Sequence, residues 1–360
     1  MRVLCLAGIL LVACSESHPA AAVNPTAAVT ASSPSPIPTA AGDVPVTGVD
    51  FSCRLPVVSV NPGPWPAHRG GFISFPAAQL VDDPNGTMLA QPYPQSGFAT
   101  AAAPVLYGDG GGFYDRAAKR RVPTSPAATS ADGSAYAYVS VDSMAHMVDV
   151  GSGRERTFSV KSLGTPGVLD FALNGVYLDS PSALGGPGEG VWLLNVSTGS
   201  ITLVGTVHRL WAVQDRKAWV ARLDPRDKTV WPYTEVPPAD SLVEVDLATG
   251  AETELFYRAG AFPWMIGLVS GRPLITVAGS SGKTEVRLLD RPGTDGRLIY
   301  SGSLVFDGYF QNYQGDGERI WLGSQRGIYL YRPDRGFQKV FAYSIPPDSG
   351  GGISPGGFCL

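Results

Sequence analysis

From about residue 49 the chain alternates short apolar stretches with tight polar turns, and the alternation itself repeats. Each copy reads as an apolar strand, a tight turn, a second apolar strand, a variable loop, a third strand, a Gly-containing turn and a fourth strand. The clearest copies are "LDFALNGVYLDS…EGVWLLNVSTGSITLVG" from Leu169 and "RLWAVQDRKAWVARLD…SLVEVDLATGAETELFY" from Arg209. Two more run from Met265 ("MIGLVSGRPLITVAG…") and Tyr309 ("YFQNYQGDGERIWLG…"), and "TSADGSAYAYVSVDSMAHMVDVGSGRERTFSV" from Thr129 fits the same template.

The turn residues explain why these stretches fold back on themselves. Asn174-Gly175, Ser270-Gly271 and Asp316-Gly317 tolerate the positive φ that tight hairpins need. The third and fourth strands are joined by "NVSTGS", "DLATGA" and "RPDRGF", each with a Gly where a bulged turn takes the left-handed conformation. Four strands recurring at about 40 to 45 residues are the pattern of a β-propeller blade. The first copy is the most degenerate: "LPVVSVN", "GGFISFPAAQLVDD", "GGFYDRAA" and "KRRVPTS" read as its four strands, with "PNGTMLAQPYPQSGFATAAAP" inserted between the second and third. The expectation is an all-β, six-bladed propeller over residues 49–360, or seven blades if the insertion holds another.

Composition agrees. The 360 residues include 44 Gly and 31 Pro but only 16 % charged positions, which suits short strands and turns better than helices. A net charge of -4 gives no reason to expect nucleic acid as a partner.

The first residues, "MRVLCLAGILLVACSES", place one Arg before an apolar run that is too short to span a bilayer and reads as the core of an export signal. Its end, Leu11 to Cys14 ("LVAC"), resembles the lipobox of bacterial lipoproteins, in which the cysteine is lipidated and becomes the mature N-terminus. That resemblance implies a signal peptide over 1–14, a lipid on Cys14 and anchoring at the outer face of the cell membrane or in the periplasm. General secretion with cleavage nearby is the alternative. Residues 15–48, almost wholly Ala, Pro, Ser, Thr and Val, bury too little apolar surface to offset ordering and read as a disordered tether. No later apolar run is long enough to be a transmembrane helix.

Of the four cysteines, Cys5 leaves with the signal and Cys14 takes the lipid, so Cys53 and Cys359 remain. Outside the cytoplasm two such thiols pair, and in a chain-entropy treatment a loop of about 300 residues is worth roughly 5 kcal/mol. Two unrelated free thiols are the alternative. A propeller's last blade meets its first, so the pair would lie together by topology.

Two copies also resemble known repeats. "SADGSAYAYVSVDS…VDVGSGRERTF" is similar to the WD40-like repeat of the TolB type, with Ala131 in place of its Pro and Ser152-Gly153 in place of its Thr-Gly. "GERIWLGSQRGIYLYRPDRGFQKV" resembles the repeat of regulator-type propellers at Ile320-Trp321, Gly323, Gly327 and Tyr331, with Ser324 where Thr is usual. The resemblance implies extracytoplasmic binding and sensing, and it speaks to fold more than to function.

Motifs that carry chemistry are few. His18, His68, His146 and His208 are scattered without metal-ligand spacing, and there is no G-x-S-x-G, H-E-x-x-H, C-x-x-C or sialidase-type Asp box. "AGSSGKT" lacks the first Gly of a phosphate loop and reads as a hairpin turn. No cofactor is expected; the acid-rich turns "VDDPNG" (Asp82, Asp83, Asn85) and "YGDGGG" (Asp109) leave Ca²⁺ as the alternative.

Propeller ligands sit where the first strand of each blade begins. Those positions offer Arg69, Asp170, His208, Arg209, Trp264, Asp307 and Tyr309, aromatic platforms and charges suited to a small polar molecule, a glycan or a peptide. The expected function is a monomeric, lipid-anchored binding module for such a ligand or for an envelope protein. The alternatives are a propeller hydrolase or lyase using Asp170, His208 and Asp307, and a scaffold within an envelope complex. Replacing Cys14 by Ala is expected to move the protein from the membrane to the soluble fraction after cell lysis; unchanged membrane association overturns the lipid anchor.

Overall fold

The computed structural model describes residues 45–60, 70–83, 113–179, 190–207, 210–226, 239–278, 284–302, 313–343 and 352–360, apart from 118, 123, 125, 141, 165, 317, 325 and 326. All belong to one compact unit, Ile37–Leu360. The strands, in chain order, are β1 (Cys53–Val60), β2 (Gly70–Phe75), β3 (Gln79–Asp82), β4 (Phe113–Asp115), β5 (Arg120–Val122), β6 (Ala135–Val139), β7 (Met144–Asp149) and β8 (Glu155–Ser159). There follow β9 (Val168–Ala172), β10 (Gly175–Asp179), β11 (Val191–Leu194), β12 (Ile201–Gly205), β13 (Leu210–Gln214), β14 (Lys217–Arg222), β15 (Ser241–Asp246) and β16 (Glu252–Tyr257). The last are β17 (Phe262–Val269), β18 (Arg272–Ala278), β19 (Thr284–Leu288), β20 (Arg297–Gly302), β21 (Tyr313–Asp316), β22 (Arg319–Ser324), β23 (Gly327–Arg332), β24 (Gly336–Ala342) and β25 (Gly352–Pro355).

Three of the repeats close as separate four-stranded antiparallel meanders, β9 to β12, β13 to β16 and β17 to β20, and β21 to β24 form a fourth of the same kind. Their turns work as the sequence suggests. Gly199, Gly250 and Gly336 have φ of 76°, 71° and 72°, a region in which a Cβ is strained. In two of these turns a side-chain oxygen four residues earlier organises the loop. Asn195 Oδ1 accepts the Ser197 and Thr198 N–H at 2.9 and 3.1 Å, and Asp246 Oδ1 accepts those of Ala248 and Thr249 at 2.8 and 2.9 Å.

The apolar core is divided among the spaces between consecutive sheets. Tyr177 of β10 packs towards β13 to β16, whereas its neighbours Val176 and Leu178 pack towards β6 to β8. Likewise Trp321 faces the first sheet, while Ile320 and Leu322 face β17 to β20. A sheet buried on both faces needs apolar residues at successive positions, which is why these strands read as apolar runs. Small sheets stacked face to face in chain order make this a fold of the β-propeller type.

The first repeat is built differently from the sequence expectation. "GGFISFPAAQLVDD" is two strands, β2 and β3, because the chain turns at 76–78 with Ala78 at φ 51°. "GGFYDRAA" and "KRRVPTS" contribute β4 and β5, which form a two-stranded sheet of their own, with one bridge from Tyr114 to Gly357 beyond it. The remaining strand of the first sheet comes from the far end of the chain: β25 pairs antiparallel with β1 and bridges once to β22, giving the order β25-β1-β2-β3.

The first described residues and the C-terminal ones are both fastened at this junction. Leu360 and Arg54 exchange backbone hydrogen bonds of 3.1 and 3.2 Å, and Cys53 is bonded to Cys359 across a separation of 306 residues. Upstream, Val46 bridges Lys339 on the outer strand β24, and Thr47 N–H donates to the Lys339 carbonyl at 2.7 Å. Asp50 pairs with Arg332 and, at 3.1 Å, with Arg335. Cys359→Ser is expected to lower the unfolding free energy by about 2–5 kcal/mol in urea titrations, with no free thiol from Cys53 or Cys359 in the alkylated wild type; a variant as stable as wild type contradicts this.

Candidate functional site

Three first strands share a local irregularity. The pairing of β9 with β10 slips at Leu169, that of β13 with β14 at Trp211 and that of β17 with β18 at Ile266. Each extra residue bends its strand and re-aims the side chains around it. Asp170 follows the first of these and lies opposite Tyr177.

The Asp170 carboxylate accepts backbone hydrogen bonds from Phe171 and from Asp215 in the neighbouring sheet. Asp215 and Arg216 form the β13–β14 turn at φ 49° and 66°. Burial pushes the Asp170 carboxyl up to about 6, and the Asp215 charge adds to the rise. Burial also raises Asp179, which accepts the Gly167 N–H. Asp170 is therefore both a tie between two sheets and a carboxyl able to hold a proton in mildly acidic solution.

Trp264 lies on β17, where it meets Trp211 of β13 at a centroid distance of 4.3 Å and an angle of 67°. The Phe262 ring stands 6.1 Å from that of Trp264, tilted by 42°. All three rings are half-buried, and neither indole N–H has an acceptor among the described residues. They form an aromatic shelf where the first strands of two neighbouring sheets begin. The sequence reading missed Trp211, although "HRLW" and "FPWM" set an aromatic at the start of the first strand in consecutive repeats.

Arg69, His208, Arg209, Asp307 and Tyr309 lie outside the described residues, as does Cys14. The structure thus describes Asp170 and Trp264 of the axial set. Asp83 is buried, and its Oδ2 accepts the Arg121 Nε–H at 3.1 Å, while Asn85 and Asp109 lie outside the described residues. Among the described residues no three His, Cys, Asp or Glu side chains are placed to hold a metal, and no helix is long and apolar enough to cross a membrane.

A charged groove lies between Asp50-Phe51 and the turns carrying Glu318-Arg319 and Arg332-Pro333-Asp334. Its ions largely satisfy one another: Arg332 pairs with Asp50 and with Asp334 at 2.7 Å, and Glu318 stands 3.8 and 3.6 Å from Arg272 and Arg297. It pins the segment ahead of β1 to the last sheet.

The sequence matches no family in a scan of protein-family models, and a search of curated proteins also finds no match. Among solved structures the chain is similar to oligogalacturonate lyase from Vibrio parahaemolyticus, at 13 % identity and TM-score 0.41 over 78 % of this chain and 73 % of that one. An oligogalacturonate lyase in complex with manganese gives 12 % identity and 0.40 over 76 % and 70 %. Regucalcin, a calcium-binding protein from Agrobacterium tumefaciens, gives 14 % and 0.37 over 69 % and 77 %. These neighbours are propeller-type proteins, and likeness at this level assigns neither activity nor ligand to the chain.

A carboxyl raised on folding stabilises the native state fully below its unfolded value, and that stability is lost as pH rises through the folded value. Wild type is therefore expected to lose melting temperature relative to Asp170→Asn between pH 3.8 and about 6 and to change little against it above that range. Melts across pH 3.5–7.5 check this (roughly the window set by the linkage), and a pH-independent difference contradicts it.

Proposed function

We propose that the chain is an exported, lipid-anchored β-propeller of six blades that acts as a binding module for a polar ligand with a flat apolar face, such as a glycan or a peptide. Six first-strand elements support the blade count. The segment 126–129, β9, β13, β17, β21 and β25 each head one sheet and lie in succession against one another, apart from the step from β25 back to 126–129. The ring is closed by β25, so that the first blade takes three strands from the start of the domain and one from its end.

The observation that carries the binding reading is the shelf of Phe262, Trp264 and Trp211 at the start of two neighbouring first strands. Rings that are half-buried beside a rigid backbone offer their remaining surface as contact area at small entropic cost, and aromatic side chains are common platforms for sugar and peptide groups. The lipid on Cys14, the tether over 15–48 and the Cys53–Cys359 bond fit an oxidising location outside the cytoplasm. A hydrolase or lyase is the second reading, favoured by the carboxyl of Asp170 at about 6, which suits a general acid.

A glycan and peptide array read by tryptophan fluorescence tests the proposal. Any ligand found is expected to bind at least about tenfold more weakly to Trp264→Ala and Trp211→Ala, a loss of about 1.4 kcal/mol. Unchanged affinity in both variants removes the shelf as the site.

A further inference from the structure

Ser140 after β6, His146 on β7 and Glu155 at the start of β8 stand in the order of a nucleophile, base and acid relay. His146 Nε2 lies 2.8 Å from Ser140 Oγ, and its Nδ1 faces Glu155 Oε1. The imidazole stacks flat on Tyr138, with centroids 4.4 Å apart and planes within 3°. Tyr138 OH donates to the same Glu155 oxygen at 3.1 Å. Burial, then the Glu155 charge, pushes the Tyr138 phenol up, so it stays a donor.

Counting protons gives this cluster a different role. Ser140 Oγ also meets Asp142 Oδ1 and, at 3.1 Å, the Met144 carbonyl. The Ser140 bond holds the Asp142 carboxyl below its ordinary value, so Asp142 is an acceptor with no proton to give. The single hydroxyl hydrogen therefore goes to Asp142, and Nε2 must donate to Oγ. Nδ1 faces a carboxylate and must donate as well. Both ring nitrogens carry hydrogen, and a cation then lies over the face of Tyr138, where it is attracted to the ring.

We propose that His146 is a proton-sensing clasp for the β6 to β8 sheet, in which the imidazolium ties Glu155 directly, and Asp142 through Ser140, to the middle strand. This sheet has three strands, and among the described residues its inner side is met by no fourth strand but by a bridge between Thr129 and Tyr136, the Ser130–Ala135 hydrogen bonds and the Thr124 hydroxyl on the Ala137 carbonyl. It therefore depends on side-chain ties more than the four-stranded sheets do. The charged and titratable groups around the clasp are Glu155, Asp142 and Tyr138, with Lys161 acting on Asp142, and Tyr136 and Arg120 beyond Tyr138. Loss of one ring proton removes the imidazole's donation either to Glu155, which keeps the Tyr138 hydroxyl, or to Ser140. The sheet then loosens along β7, between the β6–β7 turn at one end and the start of β8 at the other.

The sign follows from linkage: a tie made only by the doubly protonated ring is present in acid and is lost once the ring gives up a proton. In the full chain, His146→Gln is expected to melt about 2 °C below wild type at roughly pH 5.5, with the deficit shrinking towards zero by roughly pH 8.5. Ring nitrogen NMR of wild type should show both nitrogens protonated at the lower pH. If the variant does not fold, hydrogen exchange of wild type replaces it. Amides of residues 142–159 should then lose protection over that range relative to residues 241–257, after correction for intrinsic exchange. A pH-independent deficit, a singly protonated ring at the lower pH, a uniform loss of protection, or labelling of Ser140 by a fluorophosphonate, which requires a neutral His146 as base, would each overturn the proposal.

Discussion

The contact that the remaining structure depends on is the one between the last sheet and the first. Sheets that bury apolar residues on both faces leave one bare face at each end of the stack unless the ends meet. Trp321 is fully buried there, stacked on Phe75 at 5.6 Å and meeting Phe51 edge-on at 6.3 Å. Around it pack Leu55, Val57 and Ile73 from the first sheet, Ile328, Leu330 and Val340 from the last, and Ile353 from β25. Bringing residues some 300 positions apart into one cluster costs loop entropy, which grows only slowly with length, and the apolar burial offsets it.

With both faces of the sheets committed to packing, binding chemistry is left to turns and strand starts. Asp170 illustrates the tension: it ties two sheets through the Asp215 turn, and the burial that makes the tie useful also raises its carboxyl. Trp211 and Trp264 divide their surface in a similar way. Trp211 packs against the cluster between its own sheet and the next, yet both rings keep part of their surface accessible where their strands begin.

The repeat was legible because its signals are local. A Gly four residues after an Asn or Asp closes the same turn in "NVSTG" and "DLATG", and apolar runs of strand length flank it. The pairing of Cys53 with Cys359 was legible by elimination. The strand that completes the first sheet was not: "GISP" has neither an alternating pattern nor a run, and its partner β1 lies at the other end of the chain. The site was less legible than the fold. Trp264 could be picked out by its place at a strand start, but its partnership with Trp211 depends on how neighbouring sheets stack. Ser140, His146 and Glu155 come together only once the register Tyr138 to His146 and Val148 to Glu155 is set.

The attachment of Val46 and Thr47 to the outer strand β24 has a mechanical consequence. A pull on the chain ahead of Val46 meets the last sheet first, through the Lys339 backbone and the Asp50 ion pairs with Arg332 and Arg335. Should those yield, the load passes to Cys53 and is divided covalently with the opposite terminus at Cys359. Tension is thus met by a graded series of fastenings ahead of and at the first residue of β1, so a pull from that side does not peel the first strand away directly.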